Sequence, residues 1–435
     1  MTTGDSRLGE ATPEGSRARG ASARHTAWGW VAAALIIAAA ASIPVLRYLV
    51  FWPQDQWQVD IEVYREAGVS LLIGRPIYTA MTEAPQLLPF TYPPFAAFLA
   101  LPLALVPFRA AAWLWTVGQV LATTGIVWYA GYRLIHRHGR AEPLLLGALT
   151  AVMLWLHPVS DGIRFGQINA ILVLLVLMDL RRPRPGLIAH IPPGVFVGLA
   201  MSIKLTPGVF VVHYLLCRRW KEAGTAIATA ALVTIGAAIA QPASSVIFWG
   251  GALQDPARLG PNRGTSNQSI RGVLMRLGPE GLPGMLMWSV FAGVVAVVGF
   301  RLAKRAYAAG DSITEVAAVG LMACLLSPVA WIHHFHWVVV VILAILGADP
   351  LRDRRRLLAA GAITAWFLCR LPWWGISWLA NGWSPEWFGR VLQNADLVGA
   401  LLALWLLSWS LGRSVPPAGF PPNPTTRRFG RLSRR

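Results

Sequence analysis

Few residues in this chain could do chemistry, and they fall in clusters between long apolar runs. The first cluster is Val59-Asp60-Ile61-Glu62-Val63-Tyr64-Arg65-Glu66, with four charged groups just beyond an apolar segment. A carboxylate there is placed to take a proton from a substrate hydroxyl at the water–lipid boundary. The plainer account is a solvated helix start with Asp60 near its N-cap. Next comes Leu88-Pro89-Phe90-Thr91-Tyr92-Pro93-Pro94. Its prolines fix the backbone and remove donors, which gives a stiff aromatic wall for an apolar chain or a sugar face, or simply a rigid loop entering the membrane. His157 to Asn169 (HPVSDGIRFGQIN) then brings Asp161, Arg164, Gln167 and Asn169 to one edge. Polar side chains this dense between apolar runs are costly in lipid and mark function by default, although a solvated turn would read alike.

Three further clusters follow. Lys204 stands alone between two apolar runs in Ser202-Ile203-Lys204-Leu205-Thr206-Pro207. It either snorkels to an interface or meets an anion, and the helix break at Thr206-Pro207 favours the anion. Gly264 to Gly272 (GTSNQSIRG) offers small, amide and cationic groups, Asn267, Gln268 and Arg271 among them, in a Gly-bounded turn. Such a turn can bind hydroxyls and a phosphate, or merely be solvated; Asn267-Gln268-Ser269 is also a glycosylation sequon, a weak signal at this length. Finally, Trp331-Ile332-His333-His334-Phe335-His336-Trp337 sets three histidines at the start of an apolar run. His333 and His334 cannot share a helix face, whereas His333 and His336 can. No carboxylate or further histidine follows at the spacing a metal would want. A histidine that contacts phosphate, or orients the acid, fits better.

The elements that carry these residues are set by composition. Of 435 residues, 55% are hydrophobic and 13% charged, whereas a soluble chain carries roughly a quarter charged. The deficit is spread along the whole length, so the expected class is an all-α polytopic membrane protein. The net charge is +18, and basic residues cluster in strips between apolar runs: Arg133, Arg137 and Arg140; Arg181, Arg182 and Arg184; Arg218, Arg219 and Lys221; Arg301, Lys304 and Arg305; Arg352 and Arg354 to Arg356; the tail adds Arg413, Arg427, Arg428, Arg431, Arg434 and Arg435. By the positive-inside rule these are cytoplasmic loops, and a nucleic-acid partner is excluded. The segments that alternate with them are rich in Trp, Pro, Asn and Gln and read as the outer face, with Trp373, Trp374, Trp378, Trp383 and Trp387 as an interfacial group. Cys217, Cys324 and Cys369 lie too far apart for a disulfide framework or a zinc site.

Spans are expected near 28–50, 110–131, 143–157, 168–180, 186–203, 205–217, 222–240, 283–300, 312–327, 331–348, 357–372 and 394–412, twelve in all. The segment 92–108, with prolines at both ends and at Pro102, is expected as a re-entrant or half-depth helix. Residues 1–27 are expected as a disordered cytoplasmic tail, 28–412 as the transmembrane catalytic domain, and 413–435 as a basic cytoplasmic tail. No internal repeat is visible.

Taken together and in this order, Asp60-Ile61-Glu62-Val63-Tyr64, Leu88 to Phe95 (LPFTYPPF), Phe165 to Asn169 (FGQIN), Lys204 to Pro207 (KLTP), Ser266 to Gly272 (SNQSIRG) and Leu326-Ser327-Pro328 with Trp331-Ile332-His333-His334 resemble one family. It is that of the polyprenol-phosphate-mannose-dependent mannosyltransferases of actinobacterial lipoglycan synthesis, glycosyltransferase family 87 of the GT-C class. The resemblance implies a GT-C fold, a catalytic aspartate at Asp60, and a functional histidine at His333 or His334. Substrate-binding candidates are Arg65, Tyr92, Arg164, Gln167, Asn169, Lys204, Asn267, Gln268 and Arg271. Gly74 to Tyr78 (GRPIY) looks closer to the branch-adding α-(1→2) members than to those that elongate the pentamannoside.

The reaction implied is an inverting displacement on a polyprenyl-phosphate-mannose donor by a mannosylated lipid acceptor, at the outer membrane face. Lys204, Arg271, His333 and His334 would steady the leaving phosphate. Neither a cofactor nor a metal is implied, and no Asp-x-Asp occurs in the chain. The competing class is a lipid or polyprenyl-glycan transporter, which favours ionisable groups near the midplane and repeated halves; a non-catalytic scaffold is a third.

Overall fold

The computed structural model describes residues 13–51, 58–181, 184 and 186–412. Residues 1–12 and the basic tail 413–435 lie outside the described residues. Regular structure among the described residues is helical, with two isolated antiparallel bridges, Met81 with Pro89 and Asn267 with Trp331.

Helix α1 (Pro13–Phe51) begins inside the segment expected as a tail, and its stretch Ala27–Leu46 is long and apolar enough to cross a membrane. The first polar cluster forms α2 (Val59–Leu72). The segment 92–108 divides into α3 (Pro94–Leu99) and α4 (Leu101–Ala104), each with a proline in its first turn and both packed on α2. Six and four residues cannot cross a core of about 30 Å that takes roughly 20 helical residues. Helix α5 (Phe108–His136) is a full-length candidate span. Helices α6 (Glu142–Trp155) and α7 (His157–Phe165) meet at a 75° bend. Pro158, in the first turn of α7, prevents one straight helix because its ring would clash with the carbonyl four residues back.

Short apolar helices follow: α8 (Asn169–Leu180), α9 (Val195–Ile203) and α10 (Val209–Leu216). Helix α11 (Trp220–Ala240) is again long enough to span. Helices α12 (Pro242–Gly250) and α13 (Ile270–Leu277) border the long polar loop, and α14 (Gly281–Ala308) is another candidate span. Helices α15 (Ser312–Leu325) and α16 (Val338–Leu346) flank the 3-10 turn Ile332–Trp337. Two bent pairs close the chain: α17 (Arg354–Leu368) with α18 (Leu371–Ala380) at 48°, and α19 (Glu386–Gln393) with α20 (Ala395–Leu411) at 67°.

Four of the described helices are long and apolar enough to cross a membrane, and up to seven spans result if each bent pair counts as one. The chain is therefore a multi-pass membrane protein. Twelve crossings do not emerge as twelve separate long helices, because polar breaks interrupt runs that hydropathy alone reads as continuous.

The centre is formed by α15 and α16. Every residue of α16 is buried, as is all of α15 but Ile313, which fits a helix apolar on all sides. The outer helices α11 and α14 instead expose Leu232, Ile239 and Val290, the sort of surface that lipid, not water, would cover. Small residues let the helices approach closely. A Cβ on Gly147 of α6 would stand 3.0 Å from Ala33 Cα of α1, and one on Gly198 of α9 would stand 2.6 Å from the Ala226 carbonyl of α11.

Acids outside the expected site are used structurally. The Asp179 carboxylate accepts from the backbone N–H of Gly194 at 2.7 Å and of Val197 at 2.9 Å, capping the start of α9. Arg219 and His213 both meet Glu315 Oε1, at 2.9 and 2.8 Å. Arg356 donates to the carbonyls of Ile345 and Ala344 at 2.7 and 2.9 Å, closing the end of α16.

Candidate active site

The start of α2 is fixed to the end of α7. Gln58, buried and in the left-handed region at φ 57°, donates its backbone N–H to Arg164 O at 2.8 Å. Its Nε2 donates to Ile163 O at 2.7 Å and Thr116 Oγ1 at 3.0 Å. Asp60 follows two residues on, partly buried, with Tyr64 one turn further along the same face.

Gly166 ends α7 at φ +74°, and a Cβ there would stand 2.4 Å from Gln58 Oε1 and Ile61 Cγ1. Only glycine can make that turn against α2. Gln119 of α5 holds the turn from behind, donating to Gly162 O at 2.9 Å and Gln167 O at 2.8 Å. The turn aims Gln167 at the acid, and Gln167 Nε2 donates to Asp60 Oδ2 at 2.6 Å.

From Asp60 a string of hydrogen bonds crosses the site. Gln167 Oε1 accepts from Asn169 Nδ2 at 3.3 Å and from the Tyr92 hydroxyl at 3.4 Å. Asn169 Oδ1 accepts from Lys204 Nζ at 3.2 Å, and Lys204 Nζ lies 3.0 Å from His334 Nε2. The string joins α2, the start of α8, the break after α9 and the 3-10 turn before α16. Tyr92 closes one side: its hydroxyl lies 3.0 Å from that of Tyr64, and its ring centroid 5.3 Å from Lys204 Nζ. Tyr78 donates to Tyr92 O at 2.7 Å, so the GRPIY segment supports this wall.

Burial raises the Asp60 carboxyl above the ordinary carboxylate range, against the pull of His333, the Gln167 hydrogen bond and Lys204. Burial lowers Lys204 to about 8, against the pull of Asp60. The site thus pairs an acid whose basicity is enhanced with a cation that is readily neutralised, a pattern typical of functional sites.

His333 is buried, with neither ring nitrogen hydrogen-bonded among the described residues. Its Nδ1 faces Asp161 Oδ2 at 3.5 Å, and its ring lies 4.9 Å from that of His334. Asn169 Nδ2 donates to His333 O at 3.0 Å, so one amide holds both the string and the turn. Among the described residues no three His, Cys, Asp or Glu are grouped to hold a metal.

The structure brings together Asp60, Tyr92, Gln167, Asn169, Lys204, His333 and His334. The other nominated residues sit differently. Arg164 lies beside the site, 4.0 Å from Asp161 Oδ1 and over the Phe165 ring. Arg65 points to the other side of α2 and donates to Val106 O at 3.3 Å, tying down the end of the half-depth segment. Asn267 Oδ1 accepts from Ser269 N, Ser269 Oγ and Ala330 N, while its Nδ2 donates to Asn262 O. Gln268 Nε2 donates to Thr265 O and Gln393 O, and its Oε1 accepts from Leu397 N. Both amides are fully buried and engaged in joining the loop to its neighbours. Arg271 stands over the Trp288 ring, 5.8 Å from its centroid.

Sequence reasoning passed over Gln58 and Gln119. A signal existed for the second: Thr116, Gln119 and Thr123 recur at helical spacing on one face of α5, and such residues inside a span face the protein interior.

Comparison with known proteins bears on the same segments. No solved structure matches the chain. A polyprenol-phosphate-mannose-dependent alpha-(1-2)-phosphatidylinositol mannoside mannosyltransferase of Mycobacterium tuberculosis is 31% identical over 304 residues, 66% of this chain and 70% of that protein. A polyprenol-phosphate-mannose-dependent alpha-(1-2)-phosphatidylinositol pentamannoside mannosyltransferase of Mycolicibacterium smegmatis is 33% identical over 364 residues, 81% of this chain and 84% of that protein. A pentamannoside enzyme of Mycobacterium tuberculosis is likewise 33% identical over 367 residues, 81% of this chain and 80% of that one. These figures do not favour the branch-adding group that GRPIY resembles. Residues 90–328 match glycosyltransferase family 87, a stretch holding the aromatic wall, the Gly166 turn, Asn169 and Lys204. With relatives of this similarity along most of its length, the chain belongs to glycosyltransferase family 87.

Proposed function

We propose that this enzyme transfers mannose from polyprenyl-phosphate-mannose to a mannosylated lipid, forming an α-(1→2) linkage at the outer membrane face. The acceptor is a phosphatidylinositol mannoside, a lipomannan or a lipoarabinomannan. The observation that carries the reading is the string from Asp60 to Lys204 and His334, which holds a base and a cation in one cluster. The names of the relatives supply the donor and the acceptor class. A flippase, the competing class, gains nothing from family membership.

In this reading Asp60 takes the proton of an acceptor mannose 2-hydroxyl. The hydroxyl oxygen attacks the anomeric carbon from the face opposite the phosphate. The bond from that carbon to the phosphate oxygen breaks, and polyprenyl phosphate leaves with one more negative charge. Lys204 and the two histidines offset that charge. Gln167 holds Asp60 so that its second carboxyl oxygen is left to the hydroxyl. Residues 28–412 form the catalytic domain.

The test is transfer by the purified protein from radiolabelled polyprenyl-phosphate-mannose to a panel of mannosylated lipids. Products cleaved by an α-(1→2)-specific mannosidase support the proposal. Label moving only between membrane leaflets, with no new glycoside, would overturn it.

A further inference from the structure

The contacts of His334 define where its proton sits. The backbone N–H of Trp331 donates to His334 Nδ1 at 3.2 Å. A backbone N–H is always a donor, so Nδ1 presents its lone pair, and a neutral imidazole with a lone pair at Nδ1 carries its proton on Nε2. That Nε2 lies 3.0 Å from Lys204 Nζ. An N–H facing nitrogen at this distance needs a lone pair on the other side, and an ammonium has none. Only the unprotonated amine satisfies both contacts while donating to Asn169 Oδ1 at 3.2 Å.

We propose that, in alkaline solution before the donor binds, Lys204 is a neutral amine held by His334 Nε2–H, and that it takes up a proton as the donor phosphate arrives. The proposal rests on the reading of Lys204 as the partner of that phosphate.

The groups around Lys204 divide. Asp60 favours the cation, and burial opposes it and prevails in part, leaving the group near 8. The Tyr92 ring face lies 5.3 Å from Nζ, and Cys324 faces it from α15. His334 itself is flanked by the His333 ring at 4.9 Å, and its carbonyl accepts from Cys324 Sγ at 3.2 Å. Protonating the amine forces a choice at His334. Either the ring proton moves to Nδ1 and meets the Trp331 N–H, or the contact to Lys204 breaks. Trp331 and His334 cap the 3-10 turn that carries His333, so the charge on Lys204 is coupled to the turn that presents the second histidine. A bound phosphodiester supplies the charge that makes protonation favourable; the proton comes from the medium and returns to it when the polyprenyl phosphate leaves.

The experiment is calorimetric titration of the full chain in detergent micelles with polyprenyl methyl phosphate. This diester has one acid group, ionised throughout the range, so any proton taken up goes to the protein. Binding enthalpies in buffers of different ionisation enthalpy give the uptake. With Lys204 at about 8, about 0.9 proton is expected at pH 9 and about 0.1 at pH 7. Lys204→Arg, which stays charged at every pH, should bind with almost no uptake at pH 9. Wild-type binding at pH 9 without proton uptake overturns the proposal and leaves the phosphate reading intact, as does undiminished uptake by Lys204→Arg. Lys204→Met binding as tightly as wild type at pH 7 overturns the phosphate reading and the proposal with it.

Discussion

Replacing Asp60 with asparagine separates the chemistry of the site from its architecture. The amide oxygen of Asp60→Asn can still accept the Gln167 Nε2 hydrogen bond, 2.6 Å long in the native site, so the string survives while the base is lost. Removing a general base costs about 10²–10⁴ in rate, or about 2.7–5.5 kcal/mol of barrier. Stability moves the other way or not at all. Burial raises the Asp60 carboxyl above its ordinary value, so at neutral pH the ionised group disfavours the folded state, a penalty the neutral amide lacks. The assay is single-turnover transfer at saturating donor and acceptor, with thermal unfolding in the same detergent. The control is Glu62→Gln on the same helix, whose native carboxylate accepts from Glu83 N at 3.1 Å, and which should transfer normally. A folded Asp60→Asn that turns over like wild type would refute the assignment of the base.

Other predictions follow from the same geometry. Transfer should fall on the acid side through a value above the ordinary carboxylate range, because Asp60 must be ionised to act and burial raises it. Donor kcat/KM should fall above about pH 8, where Lys204 loses its charge; a profile that stays flat from pH 7 to 10 would count against that role. Lys204→Met should weaken donor use by roughly tenfold to a hundredfold, since a hydrogen bond to a charged group contributes about 1.5–3 kcal/mol; Arg271→Met, over the Trp288 ring and outside the string, should change it much less. Asp161→Asn, opposite His333 Nδ1, should lower turnover while leaving donor affinity nearly unchanged, a split that donor titrations resolve. Single cysteines at 135–140, 218–222 and 352–356 should resist an impermeant thiol reagent in intact cells, and those at 255–265 and 380–388 should react; labelling of 352–356 would reverse the orientation.

The residues legible in the sequence were those whose polarity is anomalous where they stand. Asp60, Gln167, Asn169, Lys204 and His334 each interrupt apolar sequence, and the structure joins all five in one string. Asn267 and Gln268 carry the same kind of signal for a different reason. A buried amide must be satisfied, and sequence does not say whether by a ligand or by backbone; here the backbone of the neighbouring loops supplies most of the partners. Gln58 was hidden because its role depends on a left-handed turn and on the end of α7, 105 residues away. The helical class followed from composition, whereas the spans did not resolve one by one. Breaks at 204–208 and the bend between α6 and α7 cut apolar runs into pieces, and those breaks are where the site is built.

The proposed reaction is a single displacement at the anomeric carbon, with Asp60 as base and the lipid phosphate as leaving group. The most direct measurement is the configuration of the new linkage, read by NMR from anomeric coupling constants after transfer from a β-mannosyl polyprenyl phosphate. The expected product is α-linked, inverted at that carbon. A β-linked product would require two displacements or a covalent sugar on the enzyme, and would contradict it.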